Sequence, residues 1–200
     1  MDRAPTLLTP RLRMRRWRSA DVGPLAALNA DPEVMRFFPA RLSRAQTELM
    51  IERIEAGFER DGFGLWALEV RDGGELAGFA GLSSATFAAH FTPAVEVGWR
   101  LARSHWGHGY ATEAGRAALA FGFEHADLKE IVSFTAVRNA RSRAVMERLG
   151  LTHDQHGDFD HPLIAGAREV RRHVLYRMPA ERWAREPSRA ATSRTFSAAR

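Results

Sequence analysis

Ser104-His105-Trp106-Gly107-His108-Gly109-Tyr110-Ala111-Thr112-Glu113 is the stretch from which the rest of the chain can be read. Upstream, residues 95–101 have the composition of a strand; downstream, Ala111, Ala114, Ala118 and Phe121 recur at helical spacing through residues 110–125. The two glycines therefore stand at a strand-to-helix junction. A helix N-terminus presents unpaired N–H groups and partial positive charge, and glycine lets backbone approach an oxygen closely, so the junction suits a phosphate. The alternative is that Gly107 and Gly109 merely turn a tight corner. No Lys-Ser/Thr follows the second glycine, and the third glycine and acidic strand end of a dinucleotide fingerprint are missing. Neither a nucleotide P-loop nor an NAD site is favoured.

Working outward, residues 65–70 and 76–82 flank Asp72-Gly73-Gly74 and read as a hairpin. Before it, Leu12, Met14 and Arg16 alternate with Arg13, Arg15 and Trp17 as an opening strand. Ser19 and Asp21 offer N-cap chemistry to a helix through Leu25, Ala26 and Leu28 that stops at Asp31-Pro32. Ser43 and Gln46 form a capping box for a second helix carrying Leu49, Met50, Ile54 and Phe58 up to Asp61-Gly62. Beyond the glycine junction come a strand at 131–137, a short helix from Asn139 to Leu149 with Gly150 at the left-handed position, a strand starting near Leu151 and a closing strand at 174–178. This order predicts an α/β sandwich with helices on both faces of one mixed sheet.

The chain has 200 residues, enough for one domain with a sizeable core. It has no cysteine, which excludes disulfides, thiolate zinc sites and a cysteine nucleophile. His153, His156 and His161 lack the spacing of a closed metal site, so no metal is expected. The formal net charge is +5, and arginine supplies nearly all the positive groups, Lys129 being the only lysine. Much of the excess lies in residues 182–200, so solvated surface and a loose tail explain the charge better than a nucleic-acid site. The expected division is a domain over 1–179 and a disordered basic tail over 180–200. No apolar run approaches a membrane span, and Arg3 and Pro5 interrupt any signal-peptide core; a cytoplasmic protein, monomer or homodimer, is the expectation.

The pattern [Q/R]-x-x-G-x-[G/A] between a strand and a helix is the coenzyme A signature of GNAT acyltransferases, and residues 106–114 resemble its RimJ/RimL-type branch. Thr9-Pro10-Arg11-Leu12 with Met14-Arg15, Asp31-Pro32-Glu33-Val34-Met35, Glu96-Val97-Gly98-Trp99, and Asn139, Ser142, Arg148, Leu149 and Gly150 resemble further elements of that branch, in the same order. The resemblance spans residues 6–178. It implies a GNAT-type mixed, mostly antiparallel central sheet with helices on both faces, and acetyl-CoA as co-substrate. Carried over residue by residue, Trp106, Gly107, His108, Gly109, Tyr110 and Ala111 meet the pyrophosphate, Trp99 and Leu101 line the pantetheine arm, and Asn139 and Ser142 complete the cofactor contacts. The chain departs from the pattern in three places: Ser104 replaces the family's Gln or Arg, Leu151 replaces a Phe, and Met146 stands about where many relatives place a general-acid tyrosine.

Acetyl transfer from a thioester to an amine needs a neutral amine, a polarised carbonyl and a proton for the departing thiolate. Glu96, between Val95 and Val97, is either a base acting through water or the acceptor of a structural pair, because an unpaired buried carboxylate is costly. His161 is either a second base candidate or an ordinary loop histidine beside Pro162. Ser142 is either the proton donor or a plain helix-start serine. Trp66 and the Phe37-Phe38 pair read either as walls of the substrate mouth or as core. The acceptor is a small-molecule or peptide amine, and the competing class is a non-catalytic module that binds acyl-CoA or contacts RNA.

Overall fold

The computed structural model describes residues 5–164 and 168–185. The chain runs β1 (Leu7–Leu8), β2 (Leu12–Arg15), α1 (Val22–Ala30), α2 (Arg44–Asp61), β3 (Leu65–Val70), β4 (Leu76–Ala85), β5 (Ala94–Leu101), α3 (Tyr110–Glu124), β6 (Glu130–Ala136), α4 (Ala140–Arg148), β7 (Thr152–Asp160), α5 (Arg168–Arg171), β8 (Arg172–Pro179) and α6 (Ala180–Trp183). The strands form one sheet in the order β1-β2-β3-β4-β5-β6-β8-β7. Every neighbouring pair is antiparallel except β5 and β6.

Local chemistry sets the element ends. At the start of α2, the Ser43 hydroxyl accepts from the Gln46 N–H and the Gln46 side chain accepts from the Ser43 N–H; Gly62 ends the helix at φ 74°. Asn139 caps α4 by accepting from the Ser142 N–H. Alternation along β4 then assigns the faces. Ala80 and Leu82 join Val97 and the alanine-rich side of α3 in the main core. Gly122 lets α3 sit close, since a Cβ there would fall 2.6 Å from Ile131. Phe79 points the other way, into a second cluster with Leu25, Leu28, Val34 and Met35. Helices thus cover both faces of the mixed sheet, as expected.

Several details differ from the sequence reading. The opening strand stops at Arg15, two residues early, and pairs with the two-residue β1, which had no alternating signal. Asp21 does not cap α1 with its side chain, because that carboxylate is engaged by Arg15 and the Arg18 N–H. β4 continues to Ala85, and α5 precedes the closing strand. Leu49 is 49% exposed despite its helical spacing, and Trp66 is fully buried core rather than mouth. The ordered chain also passes Pro179: Trp183 on α6 is 3% exposed and stacks on Phe123 of α3. The folded unit therefore includes residues 180–185, and 186–200 lie outside the described residues. No helix among the described residues is long and apolar enough to cross a membrane.

One polar network runs beneath the β2–β3 edge. Arg15 gives both terminal nitrogens to Asp21, at 2.7 and 2.9 Å, and its Nε to Glu69 at 2.7 Å. All three side chains are buried, and Arg13 and Arg18 add contacts to Glu69. Burial pushes both carboxyls up, but the Arg15 hydrogen bonds and charge, together with Arg18 and, at Glu69, Arg13, outweigh it and hold both below their ordinary range. Depressed values mean stability that is present above the unfolded pKa values and lost as pH falls through the folded ones. Arg15→Leu leaves Asp21 buried without its ion pair and Glu69 with Arg13 and Arg18 alone, and is expected to lower stability by about 3–5 kcal/mol, read as the midpoint shift in urea at pH 7. Wild type should lose that advantage at acidic pH, where both carboxyls are protonated.

Candidate active site

The parallel neighbours β5 and β6 meet through a single residue pair, Glu96 with Val132. One side-chain bond reinforces the junction, from Ser133 Oγ to the Val97 carbonyl at 2.8 Å. On its other side β5 pairs with β4 through all of Ala94–Leu101. From Gly98 onward β5 therefore has a free edge toward β6, and the strands open into a wedge with Glu96 and Val97 at its apex. Trp99 and Leu101 stand on that free edge. Such an edge offers backbone amides to an extended ligand.

The glycine junction lies at the open end. Arg103–His105 forms a short 3-10 turn, and Gly107 and Gly109 both take left-handed φ, 80° and 79°. Gly109 is the N-cap of the 15-residue α3 and supplies no side-chain acceptor, so the first N–H groups of the helix face outward without a cap. Trp106 donates its indole N–H to the Leu101 carbonyl at 2.9 Å, tying the loop to the end of β5. Tyr110 stacks on His108 and lies under the Arg11 guanidinium.

The sequence reading missed what holds this loop. Glu113, in the first turn of α3, accepts from the Thr9 hydroxyl at 2.6 Å, the Arg11 N–H at 2.8 Å and the Arg11 Nε at 2.7 Å. Arg11 also donates to the His108 carbonyl at 2.8 Å. The Thr9-Pro10-Arg11 segment and the glycine loop are thus two halves of one clamp. Only the sequence distance between Arg11 and Glu113 hid it. Where Ser104 lacks the family's long side chain, its hydroxyl bonds the His105 ring, and Arg141 reaches over from α4 to lie 4.5 Å above Trp106.

Glu96 has no hydrogen bond or ion pair among the described residues. Its carboxylate curls over Gly98, where a Cβ would sit 3.6 Å from Oε1. The residue keeps some exposure to the wedge, yet its carboxyl lies deep in the fold, and burial pushes its pKa up to about 8. His161 is not brought against it. Its ring packs among Phe87, Phe134, Phe159 and His173, its Nδ1 accepts from the Leu163 N–H at 3.3 Å, and burial with the neighbouring His173 lowers its pKa. Phe134 sits two residues past Val132 on β6, so this aromatic cluster borders the face that carries Glu96.

Ser142 is half-buried at the start of α4, and its hydroxyl has no protein partner among the described residues. Asn139 divides its amide between the Ser142 N–H and the Thr135 hydroxyl. Met146 is core. Of the two tyrosines, Tyr110 belongs to the glycine loop and Tyr176 is buried with its hydroxyl donated to Glu147 at 3.0 Å. A groove of about 770 Å³ lies between α1 and the β3–β4 turn and reaches Ser104 and His105 at the start of the glycine loop; of its charged walls, Arg15, Arg18, Asp21 and Glu69 pair with one another.

A splayed parallel strand pair leading to a glycine-rich helix start is the architecture of an acyl-CoA-dependent transferase, and the chain belongs to the GNAT acetyltransferase family: the model of the acetyltransferase (GNAT) domain matches residues 11–152. It is an acetyl-CoA-dependent N-acetyltransferase. It is 31% identical over 155 residues to the uncharacterized protein YkkB of Bacillus subtilis, covering 76% of this chain and 87% of that one. Over 137 residues it is 32% identical to the FsC-acetyl coenzyme A-N(2)-transacetylase of Aspergillus fumigatus, covering 63% of this chain and 56% of that protein. Among solved structures, an acetyltransferase from Agrobacterium tumefaciens superposes with a TM-score of 0.70 at 29% identity, over 87% of this chain and 94% of the other.

Gly109→Asp forces a side chain into a left-handed position and brings a carboxylate to the helix N-terminus, with its Cβ 3.4 Å from Arg11. CoA affinity measured by calorimetry is expected to fall at least about tenfold while the fold survives. Glu96 also leaves a stability signature. A raised folded pKa makes charging unfavourable in the folded state, so this contribution is full below the unfolded value of 4.5 and is lost as pH rises through about 8. Glu96→Gln should melt with wild type at pH 4.5 and above it at pH 9.

Proposed function

We propose that the enzyme moves the acetyl group directly from acetyl-CoA to a primary amine, with Glu96 as the base. The observation that carries this reading is an unpartnered carboxylate at the apex of the wedge, where the free edge of β5 begins. In this scheme Gly107–Ala111 and the first turn of α3 receive the pyrophosphate, with Arg141 adding charge beside Trp106. The pantetheine arm runs along the β5 edge at Trp99 and Leu101, near Asn139. Backbone amides of β5 polarise the thioester carbonyl. Glu96 takes a proton from the incoming ammonium, directly or through water; the amine nitrogen bonds the carbonyl carbon, the carbon–sulfur bond breaks, and the thiolate takes a proton from Ser142 or from water, which regains it from the second proton that the acylated nitrogen sheds as the amide forms.

Glu96 is preferred to His161 because His161 Nδ1 already accepts a backbone hydrogen bond, which leaves the proton on the other ring nitrogen. The Thr9, Arg11 and Glu113 clamp supports the RimJ/RimL-type assignment, since it joins two of the motifs on which that resemblance rests.

With a carboxyl near 8, kcat/KM should rise with pH through that value as Glu96 ionises. Thiol release from acetyl-CoA across an amine panel measures it. Glu96→Gln is expected to lower turnover by about 10²–10⁴-fold and to remove that limb, leaving only the titration of the amine, with CoA affinity nearly unchanged. His161→Asn should retain the limb. If the Glu96→Gln profile keeps its limb and near-normal turnover, the reaction relies on alignment of an already neutral amine.

A further inference from the structure

Arg100 is a half-buried cation, its Nε fully enclosed, that the proposed reaction does not use. It follows Glu96 by four residues on β5, and the unbroken β4–β5 register puts Glu96, Gly98 and Arg100 on one face, about 13 Å apart from first to last. Its guanidinium lies 4.0 Å from the ring centre of Phe38, in the loop between α1 and α2, and 5.2 Å from that of Phe79 on β4. One nitrogen donates to Asn29 Oδ1 at 2.7 Å. Asn29 is itself fully buried and oriented by donating to the Thr47 hydroxyl, which in turn donates to the Ser43 carbonyl. A relay of fixed dipoles therefore holds the guanidinium in place.

This relay is neutral, and that is the anomaly. No carboxylate pairs with Arg100 among the described residues, and its Nε–H is buried with no acceptor. Burial lowers its pKa to about 10, the mark of an uncompensated charge. Arg15, which is buried outright, has two carboxylates. A leucine or methionine would fill the Arg100 slot between two phenyl rings without an unpaired charge.

We infer that Arg100 receives an anionic group of the acceptor, so that the substrate is an amine carrying a carboxylate or a chemically similar oxyanion, of the amino-acid type, and not a polycation. The inference rests on the acetyltransferase reading with Glu96 at the apex, because both side chains then lie on the β5 face that the acceptor meets. A guanidinium on this wall also disfavours the ammonium form of an amine bound nearby, which assists its loss of a proton. It opposes the polycationic acceptor that an acidic wall would select.

The test is equilibrium binding of acetylated products to the CoA-loaded enzyme, which does not depend on turnover. N-acetylphenylalanine, N-acetylleucine and N-acetylglutamate are titrated beside the matching N-acetyl amines that lack the α-carboxylate, and beside N-acetyl-aminoalkylphosphonates to separate carboxylate from phosphate chemistry. At least one anionic ligand is expected to bind about 10–10²-fold more tightly than its neutral partner, the scale of a desolvated charge-assisted hydrogen bond. Arg100→Gln should erase that difference, and Arg100→Lys should restore part of it if the Gln variant proves unstable. Equal affinities within every pair, no binding by any anionic member, or an equal loss for both members in Arg100→Gln would overturn the inference. Thiol release with neutral amines alone would sink the Arg100 assignment and leave the acetyltransferase reading standing. No release with any amine, beside intact anion selectivity, would sink the Glu96 reading instead.

Discussion

Two parallel strands that touch at one residue pair and then part create an opening inside a hydrogen-bonded sheet, and most of the site depends on this break. Backbone groups left without a strand neighbour must find another partner, since an unmade hydrogen bond in the protein interior is expensive. β5 is secured along its whole length by β4, so its free edge stays straight and does not collapse onto β6. The Ser133 bond to the Val97 carbonyl fixes where the parting starts. The carboxylate that lacks a partner lies one residue from that bond, at the apex of the wedge.

Rigidity at the open end comes from another source. Loops built on glycine are conformationally loose, and an anion site works only if its N–H groups are already aimed. Glu113 supplies the constraint: a single carboxylate binds a hydroxyl, a backbone amide and a guanidinium from the start of β2, so the first turn of α3 is anchored to a strand four places from β6 in the sheet. The Arg11 guanidinium offsets the charge of Glu113, so this negative group leaves the helix start positive.

Periodicity and capping made most of the fold legible. Ser43 and Gln46, Asp72-Gly73-Gly74, and Asn139 with Gly150 are short-range signals whose partners lie within a few residues, and each marks its element correctly. The glycine junction was legible for the same reason. Long-range pairings were not: Arg11 with Glu113, Arg15 with Glu69, and Arg100 with Asn29 depend on which elements lie beside one another. Arg100 left one trace, a charged residue between Trp99 and Leu101 at a core-like strand position. His161 shows the converse limit, because its loop setting gave no hint of the aromatic cluster that encloses it.

The ion pairs described above use guanidinium groups throughout, at Arg11, Arg13, Arg15 and Arg18. These guanidinium groups stay protonated across the neutral range, so they offer no lone pair to an acyl carbon. The ε-amino group of lysine, by contrast, is a nucleophile whenever it is neutral, and the chain contains one, on Lys129. An enzyme that holds an activated acyl donor is thereby clothed in cations that the donor cannot modify, and its electrostatic scaffolding is immune to the chemistry it houses.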